Sequence, residues 1–328
     1  MKVLTWNLYI GADLSRAVEA ETPDALLAAN AEIFRVLHQT SFPERARSIA
    51  ARIVEADVVV VALQEAAAWF TGPLGAPSPA SKVEYDFVGI LDEELARQGA
   101  GYDAVVVQGN SDSEAAAGPP YSSDIRLLDR DALLVRSDLV GDVSSTEAAH
   151  FDRQLTIPTG TGRMVEALRG WMSVDLIVEG RPIRFVNTHL EAFDPQVRLA
   201  QAEELVSPTG PIGPPDSGAA DVVLLGDLNS GPELPVLDDR LAFFALMGAG
   251  LTDTWAVLHP GDPGYTAGFN ELLDDPSPTV LEHRVDHVMT RGGVAAVSSE
   301  IVGTAPGDRT TSGLWPSDHA GLVASLET

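Results

Sequence analysis

The feature that most constrains this chain is a repeated pattern of short apolar runs, each ending in a polar or charged residue. Leu4-Thr5-Trp6 ends in Asn7, Val59–Leu63 in Gln64-Glu65, Phe185-Val186 in Asn187-Thr188-His189, and Val222–Leu225 in Gly226-Asp227-Leu228-Asn229. His283-Arg284-Val285 leads to Asp286-His287, and Pro316-Ser317 to Asp318-His319. Apolar runs this short and this rich in β-branched residues read as strands covered on both faces. Strand ends lie at the rim of a sheet, where a rigid scaffold can aim side chains at one point.

Helical signals lie between these runs. Thr22-Pro23-Asp24 predicts a helix start, followed by Leu26, Ile33, Phe34 and Leu37 at helical spacing. Pro43 opens a second helix with an apolar face of Ala46, Ile49, Ala50 and Ile53. Phe87, Leu91 and Leu95 mark a third, and 196–206 and 241–247 two more. Further strands are expected over 102–107, 132–135, 172–178, 183–187, 285–290, 294–302 and 321–326, with a hairpin turn at Glu179-Gly180-Arg181-Pro182. Residues 109–123 read as a mobile loop, 207–218 as a linker-like loop and 259–279 as a long surface loop that is a candidate lid or specificity insert. There is no repeat and no dividing linker, so a single domain over 1–328 is expected. Many strands, interspersed helices and hairpins point to two mixed sheets packed together with helices outside.

The residue types at the strand ends suit one kind of chemistry. Carboxylates and amides make an oxygen-rich site for a hard cation such as magnesium or manganese. Histidines beside such a cation suit phosphoryl transfer, where they stabilise charge or move protons. Taken singly, Asn7 reads as a turn residue, Asp227 and Asn229 as an Asx-turn, and His189 and His319 as core histidines. Glu65 is harder to dismiss, because a carboxylate after an apolar run sits where charge is costly.

Thr5-Trp6-Asn7, Leu63-Gln64-Glu65, Asn187-Thr188-His189-Leu190, Gly226-Asp227-Leu228-Asn229, Arg284-Val285-Asp286-His287 and Ser317-Asp318-His319 together resemble the endonuclease/exonuclease/phosphatase superfamily. That group includes DNase I-like nucleases, neutral sphingomyelinases and inositol-phosphate phosphatases. The resemblance spans nearly the whole chain and implies an α+β, DNase I-like fold: a four-layer α/β/β/α sandwich of two mixed β-sheets packed face to face with helices outside. It further implies a Mg2+- or Mn2+-dependent phosphoric ester hydrolase. In that reading Glu65 is the principal metal ligand, with Asn7 close to the metal and Asp318 on its side. Asp227 orients or deprotonates the attacking water, and Asn229 holds a non-bridging phosphate oxygen. His319 contacts the phosphate, with its tautomer fixed by Asp286, and His189 acts near the leaving group or a phosphate oxygen. His189 resembles the DNase I and sphingomyelinase branches; the abasic-site repair branch typically lacks it.

The chain departs from the family pattern at His287, where many members carry an aromatic residue, and at Asp129-Arg130-Asp131. Arg126, Arg130 and Asp131 are therefore candidate substrate-pocket residues, and His287 either lines the pocket or packs. Arg163 and Arg169 are candidate contacts for an anionic substrate. Trp69 and Phe70 read as loop residues, with a lipid-facing role as one option, whereas Trp6, Trp171 and Trp315 read as packing. His38, His150, His259 and His283 read as surface or structural.

Composition narrows the substrate. Lysine plus arginine number 21 against 48 aspartate plus glutamate, a formal net charge of −27. Such a surface repels polyanions, which favours a small-molecule or lipid-headgroup phosphoester over nucleic acid, although a solubility role explains the charge equally well. A metal-dependent nuclease is the alternative, and an inactive binding protein of the same fold the third reading. With no cysteine, disulfides and thiolate chemistry are excluded. No run is apolar enough to span a membrane. Met1-Lys2 leads straight into a strand, which leaves the cytoplasm open as a compartment, or secretion if a leader has been removed. A monomer is expected.

Overall fold

The computed structural model describes residues 1–214 and 221–328. Its strands are β1 (Lys2–Asn7), β2 (Val60–Gln64), β3 (Ala68–Pro73), β4 (Lys82–Asp86), β5 (Tyr102–Ala117), β6 (Ser123–Arg136), β7 (Val143–His150), β8 (Leu155–Pro158), β9 (Met164–Ala167), β10 (Gly170–Val178), β11 (Arg181–His189), β12 (Asp221–Asp227), β13 (Thr252–Asp253), β14 (Asp286–Arg291), β15 (Ala295–Val302) and β16 (Gly321–Glu327). Its α-helices are α1 (Ser15–Val18), α2 (Pro23–Gln39), α3 (Phe42–Ala56), α4 (Phe87–Arg97), α5 (Pro195–Leu205), α6 (Leu241–Gly248) and α7 (Thr254–Leu258).

The first sheet runs β15-β16-β1-β2-β6-β3-β4, with β5 also on β6; the second runs β13-β14-β12-β11-β10-β7. Both are mixed: β1–β2 and β11–β12 are parallel pairs, and their other pairings are antiparallel. Alternation along each strand builds the layers. Val3, Val60, Ala62, Leu133, Val174, Phe185, Val223, Leu225 and Val288 fill the space between the sheets. The alternate residues Leu4, Trp6, Val61, Leu63 and Leu134 pack under α2, α3 and α4. Val186, Val222, Leu224 and Met289 pack under α5 and α6. The architecture is the expected two-sheet sandwich with helices outside.

The helix signals behave as their chemistry requires. Thr22 caps α2 by accepting from Ala25 N, and Ala46, Ile49, Ala50 and Ile53 are the buried stripe of α3. Glu179 and Gly180 both have positive φ, the tight two-residue turn joining β10 to β11.

Three expectations need correction. Residues 109–117 are not a loop: β5 runs to Ala117 and pairs along most of β6, with register shifts near Val105 and between Gly109 and Asp112. Its polar, small residues belong to an edge strand with one wet face, which hides the alternation. Trp69 is not an exposed loop residue. It is 2% exposed in β3, and its Nε1 donates to Ile10 O at 2.9 Å, so no lipid-facing role follows. Residues 259–279 are only partly a surface loop. Thr266 O accepts from Ala320 N, Ala267 bridges both His283 and His319, and Phe269 and Leu273 are buried beside Trp315. Of the expected loop 207–218, residues 215–218 lie outside the described residues.

One charged side chain fastens the layers at the end where β1 stops. Arg45 on α3 is fully buried and donates to Thr40 O, Leu8 O, Tyr9 O and Pro316 O. It ties the segment after Asn7 to the segment before Asp318. Burial pulls this guanidinium down to about 10, still charged at neutral pH. Arg45→Met would leave these buried carbonyls without their donor and is expected to lower the unfolding free energy by about 4 kcal/mol. Urea titration of the two proteins measures it.

Candidate functional site

At one end of the sandwich the inner faces change from apolar to polar. On β1 the inward series is Val3, Thr5, Asn7; on β2 it is Val60, Ala62, Gln64; on β11 it is Ile183, Phe185, Asn187, His189. On β12, Val223 and Leu225 are followed by Asp227, and on β14 Asp286 precedes Val288. Alternation therefore delivers Asn7, His189, Asp227 and Asp286 to the same gap. His319 joins them on the stretch before β16.

Asp227 is the hub. Its Oδ2 accepts from Asn7 Nδ2 at 3.1 Å and lies 3.4 Å from His189 Nε2 and 3.9 Å from His319 Nδ1. Its Oδ1 accepts from the backbone N of Asn229 at 2.8 Å. Burial pushes the Asp227 carboxyl up to about 6, with the nearby Asp286 charge adding to the rise. His319 Nδ1 meets Asp286 Oδ2 at 2.8 Å. Burial alone would lower His319, but the Asp286, Asp318 and Asp227 charges outweigh it and hold the imidazole well above its usual range.

Glu65 follows β2 in a left-handed conformation, φ 52°, which brings its carboxylate to Ile10 N at 2.6 Å. Burial and the Asp318 charge raise Glu65, and burial likewise raises Asp318. Asn229 is also left-handed, φ 46°, and its Nδ2 donates to Leu190 O. Asn7 uses its oxygen on Tyr9 N, so its amide N–H faces Asp227.

The remaining sequence candidates divide by which face of a strand they occupy. Asp131 is on the inner face of β6, two residues before Leu133, as is Asp129. Arg130 is on the outer face, where it donates to Ala66 O and Ala67 O and shapes the turn carrying Glu65. Arg126 pairs with Asp112 and covers Phe70 on the outer face, away from the site. Arg163 is exposed at the turn joining β8 to β9 and is not brought to the cluster. His287 points outward, buried against Phe243, with Nε2 on Ser230 O at 2.9 Å. It supports the Asn229 turn from behind instead of lining a pocket.

Arg169 does reach the cluster: its Nη1 is 2.9 Å from His189 Nδ1 and 3.5 Å from Asp129 Oδ2. Asp129, Gln108, Asn110 and Glu191 are buried nearby components that the sequence reading did not assign to the site. For Asp129 the available signal was its i, i+2 relation to Asp131 on one face of a strand.

The donor set fits a hard cation. Asp227, Asp286 and His319 place ligand atoms within 4.8 Å of one another. The buried Asp286 Oδ1 has no hydrogen-bond partner among the described residues. Glu65 and Asp318 add two half-buried carboxylates, and the Asp318 charge raises Glu65. Such a concentration of oxygen ligands suits a hard divalent cation.

Comparison with known proteins agrees with this fold and shows the family. The model of the Endonuclease/Exonuclease/phosphatase family matches residues 4–319, and the chain belongs to that family. No curated protein matches the sequence. Among solved structures, D. rerio TDP2 complexed with a single-strand DNA product is 17% identical with TM-score 0.58, covering 100% of this chain and 99% of that one. The Bacteroides thetaiotaomicron mannosyl-6-phosphatase is 15% identical with TM-score 0.59, covering 100% of both. An endonuclease/exonuclease/phosphatase from Beutenbergia cavernae is 20% identical with TM-score 0.57, covering 100% of this chain and 71% of that one. These likenesses are of fold.

The support behind Asn229 is testable through pH. Burial would raise Asp253, but its contacts with His287 and Arg284 outweigh that and bring it from 3.8 down to about 2. A depressed carboxyl contributes stability that is present above its unfolded value and lost as pH falls through its folded one. The loss of unfolding free energy in Asp253→Asn is therefore expected to be about 2 kcal/mol at neutral pH and to shrink between pH 4 and pH 2. Denaturant melts across that range check it.

Proposed function

We propose that this chain is a divalent-cation-dependent hydrolase of small-molecule or lipid-headgroup phosphoesters, working by in-line attack of water. The observation that carries the reading is the convergence of four carboxylates, Asp227 and Asp286 buried and Glu65 and Asp318 half-buried, on two histidines and few cations of the chain's own. Buried carboxylates that repel one another are stabilised by a bound cation. Glu65 and Asp318 would hold Mg2+ or Mn2+, with Asn7 nearby. Bound there, the cation neutralises phosphoryl charge and eases departure of the leaving oxygen.

The chain's own groups supply the rest. Asp227, pushed up to about 6, is poised to take a proton from water near neutral pH. Asn7 and the Asn229 backbone N–H hold it in place. Asn229 has a second amide N–H for a phosphoryl oxygen. His319, kept protonated by Asp286, stabilises the developing negative charge. His189 faces the same space beside Asp227. No activated serine is among the convergent residues, so no covalent intermediate is invoked.

The net charge of −27 supports a compact substrate over a polyanion. Nuclease action is the second reading, favoured by the fold likeness to TDP2 with a DNA product. Hydrolysis of bis-p-nitrophenyl phosphate, p-nitrophenyl phosphate, sphingomyelin and plasmid DNA, with Mg2+, Mn2+ or chelator, separates the readings. Metal-dependent turnover of a small or lipid phosphoester with slow DNA cutting is expected, and Glu65→Ala or His319→Ala should lose about 1,000-fold in kcat/KM. Rapid DNA cutting with the other substrates intact would establish the nuclease, and full activity in excess chelator would remove the metal.

A further inference from the structure

The two histidines that face Asp227 are held in opposite ways. His319 has a carboxylate on Nδ1, Asp286 at 2.8 Å. A carboxylate only accepts, so the proton sits on Nδ1. His189 has a guanidinium on Nδ1, Arg169 Nη1 at 2.9 Å. A guanidinium only donates and does not lose its proton, so Nδ1 must accept and the ring proton must be on Nε2. That N–H then points at the space beside Asp227, whose Oδ2 is 3.4 Å away.

Arg169 is fixed by several independent devices. Gln154 grips both sides of its main chain, accepting from Arg169 N at 2.8 Å and donating to Arg169 O at 2.8 Å. Phe151 N donates to the same carbonyl at 3.1 Å. Gly170 lets the chain pass close: a Cβ there would lie 2.5 Å from Ala149 O and 2.7 Å from Gln108 Nε2. On the side-chain end, Asp129 Oδ2 is 3.5 Å from Nη1. Asp131, held by Asn110 Nδ2 at 2.9 Å, adds its charge from the same face of β6. Arg169 is 13% exposed at its side chain, so water competes little with these contacts.

We infer that Arg169 is a positioning residue that, braced by Asp129 and Gln154, locks His189 in the tautomer with its proton on Nε2, so that His189 meets a substrate oxygen as a fixed neutral hydrogen-bond donor. The proposal rests on the phosphoester reading for its kinetic consequence but not for its structural one. It gives the two histidines separate tasks: His319 carries positive charge, and His189 offers a hydrogen bond without changing charge.

Imidazole 15N spectra of the whole protein test the structural half without turnover. The expected wild-type pattern is a protonated Nε2 and an unprotonated, hydrogen-bonded Nδ1 at His189. In Arg169→Met the Nδ1 signal should move to that of a free acceptor or to a mixture of tautomers, and Arg169→Lys should restore part of the shift. Asp129→Asn gives the same readout more mildly if Arg169→Met does not fold. Spectra unchanged in both variants, or a wild-type ring protonated on Nδ1, would overturn the proposal, even if no phosphoester were ever turned over. On whichever phosphoester proves active, Arg169→Met should lower kcat about 10- to 100-fold with KM nearly unchanged, and add almost nothing in a His189→Ala background. A raised KM with losses that add to those of His189→Ala would make Arg169 a direct phosphate contact and overturn the positioning role.

Discussion

The site depends on one amide. Asn187, fully buried on β11, accepts from Gln64 Nε2 at 2.7 Å and donates to Leu63 O and Ala132 O at 3.0 and 3.1 Å. All three partners belong to the opposite sheet. Most other contacts between the sheets are apolar, apart from the Asn7–Asp227 bond at the site, and apolar contacts resist separation but specify register weakly. A fully satisfied buried amide specifies it sharply, because a slip leaves polar atoms unpaired. Asn187 is two residues from His189 and Gln64 is next to Glu65, so the bond that fixes the sheets also fixes the spacing of the candidate catalytic groups.

Around that lock, the electrostatics follow from scarcity. Four carboxylates converge, two of them buried and two half-buried, and the chain places few cations near them. Arg45 is committed to backbone carbonyls, and Arg169 to His189 and Asp129. The consequences are visible in direction. Glu65, Asp227 and Asp318 rise, and His319 rises with them. His189, buried and next to Arg169, falls well below its usual range. One gap thus holds a cationic and a neutral histidine. A bound divalent cation would relieve the carboxylates on the Glu65 side while leaving the Arg169 arrangement intact.

Much of this was legible from residue order alone. Short apolar runs ending in polar residues do become strands whose ends meet, because alternation and sheet pairing leave few other arrangements. What escaped was whatever alternation does not announce. The edge strand β5 carries Ser111, Asp112, Ser113 and Glu114 on a bulged, wet stretch that looks like a loop. Strands β3, β4, β7, β8 and β9 are short or exposed. Among the candidates, face mattered more than position. His287 and Arg130 each adjoin a site residue in sequence, and for that reason each points to the opposite side. Arg163 and Arg169 looked equivalent until the structure placed one on an open turn and the other against His189.

Residues 259–279 show the limit of reading loops by composition. Gly, Pro and Asp richness suggested a free lid, yet Thr266 Oγ1 accepts from both Val285 N and Asp286 N at 3.3 Å, and Ala267 bridges the segments before Asp286 and at His319. A segment that supplies backbone partners to two site strands cannot swing away without unpairing them, at a cost that grows with burial. The turn after β11 carries Phe193, 73% exposed, four residues beyond His189. Phe193, whose backbone N donates only to Glu191 Oε1, takes no part in the bonds that hold Asp286 and His319 in place, whereas residues 266–267 do.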